Sequence, residues 1–379
     1  TETDKLKTLF NSRSPIQKDK LYGSIADGTA RILHQPALIH PGDHFSHQAM
    51  AQTIDWFDKT LSGAKKIPSD DQIWLYKELG TLLALLGMLI LIVPSLNMVA
   101  HSTLFNKLST TVPQSYSLTG GSWWLGAIIF SLLPAITLFP FKGLSESLGW
   151  QASVFFAQNI TTQIMVWALL TGTIALTLFL LWHFLLNCKQ GASLKSYGLS
   201  LPLTRPLLAL GSLFLLALSF VAILYASLVA TDFVFDVDYR IWVFGIKLLS
   251  AQQMWIALCY LLPFSLFFLE VAVVLHGQLR KPNWSFTKEL SVNWLLLTSG
   301  YLLLLSAQYI PLLSGGTLWI ASEPLWTIIT FQFIPIMTIA AVVFTTAYRL
   351  TGSIYAGAFI NGLFVTWIVV ASQATHYAF

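Results

Sequence analysis

Leu79-Gly-Thr-Leu-Leu-Ala-Leu-Leu-Gly-Met-Leu-Ile-Leu-Ile-Val-Pro-Ser-Leu-Asn-Met98 contains no Asp, Glu, Lys or Arg. At about 1.5 Å per helical residue, the run is long enough to cross a hydrocarbon core of about 30 Å. Seven further apolar runs follow, at Trp123–Phe141, Ile160–Leu186, Leu207–Ala230, Met254–Leu275, Val292–Ile310, Leu325–Ala347 and Ile354–Ala371. The second carries Pro134 and Pro140, so a kinked or re-entrant path is expected there. Composition agrees with this reading: 55% of the 379 residues are hydrophobic and 10% charged, with a mean hydropathy of +0.67. Such values lie outside the soluble globular range. The fold class is therefore mostly α, a polytopic helical membrane domain of about eight spans over residues 73–379, preceded by a polar segment over residues 1–72.

Working outward from the spans, the formal charge of +4 is small and its basic residues are scattered, which excludes the electrostatic footprint of a nucleic-acid-binding protein. The Lys and Arg set topology instead, because positive charge near span ends is retained on the cytoplasmic side. Loops after the odd spans hold Lys107, Lys189, Lys195, Arg205, Arg280, Lys281, Lys288 and Arg349, and loops after the even spans hold Lys142, Arg240 and Lys247, eight against three. The first set is expected inside. With eight spans, the segment before Leu79 and the C-terminus at Phe379 then face outside the cell membrane. Trp74, Tyr76, Trp123 and Trp124 lie where interfacial aromatic anchors are expected. The bilayer is thus the first partner. Two cysteines, Cys188 and Cys259, each at or inside an apolar run, do not form a disulfide framework or a metal-ligand set.

Residues 1–72 hold nine of the seventeen Asp and Glu, the composition of a water-exposed unit. Arg31–His34 reads as a short strand ending near Pro36, and Pro41-Gly42 marks a turn ahead of Asp43-His44-Phe45. Ser46 is placed to cap a helix in which Met50, Ile54, Phe57 and Leu61 share one face and which Gly63 ends. His40, Asp43, His44 and His47 crowd this turn. They are also the residue types of a metal site, but Pro41-Gly42 prevents the helical i, i+4 pairing that makes such a site strong. No metal or other cofactor is called for.

The order strand, Gly-Asp-His loop, amphipathic helix resembles the end of an α/β-hydrolase domain. More specifically, Tyr22-Gly-Ser-Ile-Ala-Asp-Gly-Thr-Ala-Arg31, His40-Pro-Gly-Asp-His44-Phe-Ser46 and Thr53-Ile-Asp-Trp-Phe57 are similar to bacterial membrane proteins that join an extracytoplasmic α/β-hydrolase to a multi-span C-terminal domain. Gln72-Ile-Trp-Leu-Tyr-Lys-Glu-Leu-Gly80 and Thr351-Gly-Ser-Ile-Tyr-Ala-Gly-Ala-Phe-Ile-Asn361 extend the likeness to both ends of the membrane domain. What the resemblance implies is a serine-dependent hydrolase of an ester, thioester or amide, acting on a small-molecule or acyl substrate, with His44 as the catalytic histidine. His44 would take the proton from a serine hydroxyl and return it to the leaving group, a task suited to an imidazole titrating near neutral pH. No Gly-x-Ser-x-Gly occurs in the chain, so the nucleophile elbow is expected upstream of Thr1, and residues 1–72 would be the C-terminal remnant of the hydrolase domain. The triad acid is expected ahead of His44; Glu2 and Asp4 lie in that region without completing a motif. The chain alone is expected to be inactive.

A second function fits the same composition: a membrane transport or sensing protein with a regulatory N-terminal segment. Its pointer is Glu270, the sole acidic residue inside the runs above, since an intramembrane carboxylate is costly and marks a site by default. Snorkelling, or pairing with Arg280, is the bland explanation. Asn361 with Gly357, Ala358 and Gly362 reads as close helix packing. Gln158, Asn159, Gln163, Thr161, Thr162, Thr171, Thr173 and Thr177 read as interhelical hydrogen bonding in preference to a polar cavity. The last spans are faintly similar to intramembrane CAAX-type proteases, but the paired glutamates and histidines of that metal site are absent.

Overall fold

The computed structural model describes residues 3–63, 65–202 and 204–377. The chain divides into two compact units, residues 1–79 and 80–379.

The first unit is built from short pieces. Helix α1 (Asp4–Leu9) is followed by turns, a six-residue 3-10 turn over His40–Phe45 and helix α2 (His47–Thr60). The strand expected at Arg31–His34 does not form; Tyr22 and Arg31 make one isolated antiparallel bridge, because the neighbouring segment leaves the extended conformation at Asp19 (φ +58°) and Pro36 soon ends the run. A small core holds Phe10, Ile16 and Ala30, with Phe10 edge-on to Tyr22 at 5.5 Å. The Ser46 hydroxyl caps α2 by accepting from the Ala49 amide at 3.2 Å, as the sequence led us to expect. Helix α2 has no buried residue: Phe57 is 53% and Leu61 60% exposed, so the apolar face of this amphipathic helix is open.

The second unit is mostly helical. Helices α3 (Trp74–Ala100, beginning in the first unit), α4 (Gly120–Ser147), α5 (Asn159–Trp182), α6 (Pro206–Phe235), α7 (Ala251–Ala272), α8 (Phe286–Leu313), α9 (Pro324–Thr351) and α10 (Ile354–Ser372) supply eight segments long and apolar enough to cross a membrane among the described residues. The protein is multi-pass by this measure. Helix α4 runs unbroken for 28 residues through Pro134 and Pro140, so the re-entrant path is not taken. Strands β1 (Tyr239–Ile241) and β2 (Phe244–Ile246) form a small antiparallel hairpin, with Trp242 in the left-handed region at its turn.

Helix α10 is the hub, packing on α6, α7 and α9. Its small residues explain the close approach: a β-carbon at Gly362 would lie 2.4 Å from Ser265 Oγ, and one at Gly357 2.9 Å from the Phe344 ring. The turn from α9 into α10 needs glycine at 352, where φ is +62° and a β-carbon would meet the Thr110 hydroxyl at 2.6 Å. Helix α5 is tied sideways by the hydrogen bonds its threonines promised. Thr162 reaches Tyr260 OH of α7 at 2.8 Å, and Thr171 reaches Thr137 of α4 at 2.8 Å. Two helix ends are wound as π-helix, His183–Asn187 after α5 and Val273–Leu279 after α7.

Candidate functional site

His44 stands on the 3-10 turn that Pro41 opens and Ser46 closes, and it is exposed. It walls a cleft of about 610 Å³ together with Arg31, His34, Asp43, Met50 and Trp56. Asp43 is held at the turn by His40, whose Nδ1 lies 3.3 Å from Asp43 Oδ2. His47 turns away, its ring 5.3 Å from that of Trp74 and its carbonyl accepting from Gln72 Nε2 at 2.9 Å. Among the described residues, no three His, Cys, Asp or Glu side chains are arranged to hold a metal ion.

The cleft contains a second imidazole that the sequence did not single out. His34 Nδ1 lies 2.6 Å from Asp19 Oδ1, and the Asp19 amide donates to the Leu33 carbonyl at 2.9 Å. Asp19 adopts a left-handed backbone at φ +58°, which turns the chain back to the His34 strand position. Fifteen residues separate the pair in no recognisable spacing, so no local signal announced it. Asp4 is fully outward and pairs with Lys7 at 3.7 Å, away from His44; Glu2 lies outside the described residues.

The second unit holds two polar groups of note. In the first, Glu270 faces α5, where a β-carbon on Gly172 would lie 1.7 Å from Glu270 Oε2. This oxygen is shielded and has no hydrogen-bond partner. Arg280 does not pair with it; its Nη2 donates to the Pro113 carbonyl at 2.8 Å and its guanidinium lies 5.3 Å from the Tyr348 ring centre. In the second, Glu289 is brought inside α8, which begins earlier than the apolar run suggested, and it is buried where Glu270 is only half-buried. Arg349 lies in the last turn of α9, where it pairs with Glu289. His276, on the π-helical turn, stacks on Tyr348 with ring centres 4.0 Å apart. A π-turn carrying a buried histidine is the kind of irregularity that recurs at functional positions.

Asn361 is fully buried on α10 and both atoms of its amide lack a hydrogen-bond partner. Outside the spans, the Tyr197 hydroxyl meets His183 Nδ1 at 2.8 Å and accepts from Asn187 Nδ2 at 2.7 Å. Burial pushes the Tyr197 phenol above its usual range, against the opposing effect of the Asn187 bond.

Comparisons with protein families, with curated proteins and with solved structures found no match for this chain. Fold and geometry define a class, a multi-pass helical protein with a polar N-terminal unit.

Proposed function

We propose that this chain is the C-terminal part of a membrane-anchored serine hydrolase in which His44 is the general base. The carrying observation is the placement of His44: exposed, on a turn fixed by Pro41 and the Ser46 cap, in the wall of an open cleft large enough for an acyl group. The open face of α2 at Phe57 and Leu61 supports the same reading, since a closing helix of an α/β-hydrolase domain buries that face against the rest of its sheet. A serine supplied by a preceding segment would lose its proton to His44, attack an ester, thioester or amide carbonyl and form an acyl-enzyme, which water then releases. The loop charges support a position outside the cell for the N-terminal segment and its substrate, since eight Lys and Arg follow the odd spans and three the even ones.

The test is a fluorophosphonate probe, which phosphonylates an activated serine, applied to the product of the full natural gene in its membrane. The reading expects one labelled serine in a segment preceding residue 1, with labelling lost on His44→Ala. An unlabelled protein overturns it.

A second reading, transport or sensing, is favoured by one observation, the unpartnered Glu270 oxygen inside the helical unit.

A further inference from the structure

Glu270 lies nine residues before Leu279, the end of its continuous span, and so about two helical turns from that end. It is therefore beyond the reach of a snorkelling glutamate. What admits its carboxyl is the missing side chain at Gly172, since even a β-carbon there would overlap Oε2. Gly172 also walls a cavity of about 30 Å³, lined in addition by Phe130, Pro134, Thr171, Phe267 and Tyr301. That is room for one water molecule. Pro134 has no N–H, so the Phe130 carbonyl one turn earlier lacks its usual helix donor.

The surroundings carry no charge to balance a carboxylate. Among the described residues no cationic side chain lies within ion-pair distance of Glu270. Helices α5 and α10, which pack on α7, contain no Asp, Glu, Lys, Arg or His, and α10 contributes one tyrosine, Tyr355. Across the cavity α8 contributes Tyr301, and on α7 and its continuation the titratable neighbours are Tyr260, Cys259 and His276, the last stacked on Tyr348. An ionised carboxylate without a partner is strongly disfavoured in such a place. A hard cation such as Mg²⁺ or Ca²⁺ would need about six or more oxygens around it, and this largely apolar wall does not offer them. A proton needs only one.

We propose that Glu270 is a proton-binding site within the helical unit, holding an exchangeable proton on the carboxyl that the opening at Gly172 admits. The site is independent of the His44 reading and stands or falls without it.

The test uses dicyclohexylcarbodiimide on the full chain in detergent micelles. A protonated carboxyl adds across one C=N bond of this apolar reagent: the proton goes to nitrogen, the oxygen to the central carbon, and the O-acylisourea rearranges to a stable N-acylurea without a leaving group or redox change. The expected result is an adduct on the peptide bearing Glu270, formed at least about tenfold more slowly at about pH 10 than at about pH 6, as a titrating carboxyl requires. Glu270→Gln abolishes it, and replacing choline by about 0.1 M Na⁺ at constant pH and ionic strength leaves the rate unchanged. No adduct at Glu270, a rate indifferent to pH, or protection by Na⁺ overturns the proposal. Mapping the adduct in the unsubstituted protein keeps the test decisive even where Glu270→Gln fails to fold.

Discussion

Arg349 grips a single oxygen of Glu289, with Nε at 2.8 Å and Nη2 at 2.7 Å from Oε2, and so ties α9 to α8. The Glu289 side chain is 2% exposed and that of Arg349 32%. Removing the cation strands a buried carboxylate, whereas removing the carboxylate charge leaves a guanidinium that can reach water. Arg349→Met should therefore cost about 3 kcal/mol, the low end for breaking a buried pair, and Glu289→Gln distinctly less. Thermal unfolding in detergent checks the order; equal losses, or a larger one for Glu289→Gln, would contradict it.

A second outcome concerns the contact between Gly172 and Glu270. Gly172→Ala should destabilise by about 1–3 kcal/mol, because the new methyl meets the carboxyl and the Phe267 ring edge. In a Glu270→Ala background most of this loss should vanish. A double-mutant cycle measures the coupling, and additive losses would show that the two positions do not touch.

Tyr197 gives a pH dependence. Its phenol is raised by burial, so the folded state holds the proton more tightly than the unfolded one. The corresponding stability is fully present below the unfolded phenol value of about 10 and is lost as pH rises through the folded value. The stability difference between the unsubstituted protein and Tyr197→Phe should accordingly shrink above about pH 10. Thermal scans across that range decide it; a difference that grows with pH has the wrong sign.

Topology can be read with an impermeant maleimide on intact cells. With Cys188 and Cys259 replaced by serine, a cysteine at Lys65 should label without permeabilisation, and native Cys188, exposed beyond the π-turn after α5, should label only after it. Shielding at position 65 would invert the proposed orientation.

The eight spans were legible because apolar length is a property of each segment alone, as at Leu79–Met98. The Ser46 cap was equally legible, being a contact three residues long. Helix ends were less so: Arg349 read as a loop charge, yet it lies in the last turn of α9, where it pairs with the buried Glu289 of α8, because a paired charge is tolerated where a lone one is not. The strand at Arg31–His34 failed for the complementary reason, since a strand exists only with a neighbour. The His34–Asp19 pair and the Gly172 opening for Glu270 depend on residues brought together by tertiary packing, and no spacing in the sequence carries them. Pro134 and Pro140 were read as marking a kinked or re-entrant path, yet α4 continues as helix through both.

Whether His44 is the general base is decided by the turnover number on a chromogenic ester of the full natural gene product and its His44→Ala variant. We expect kcat to fall by about 10²–10⁴, the usual contribution of a positioned base, with KM little changed. His34→Ala, which removes the other imidazole of the cleft, should change kcat by less than about tenfold. Unchanged turnover in His44→Ala, or a loss carried by His34→Ala instead, would contradict the account.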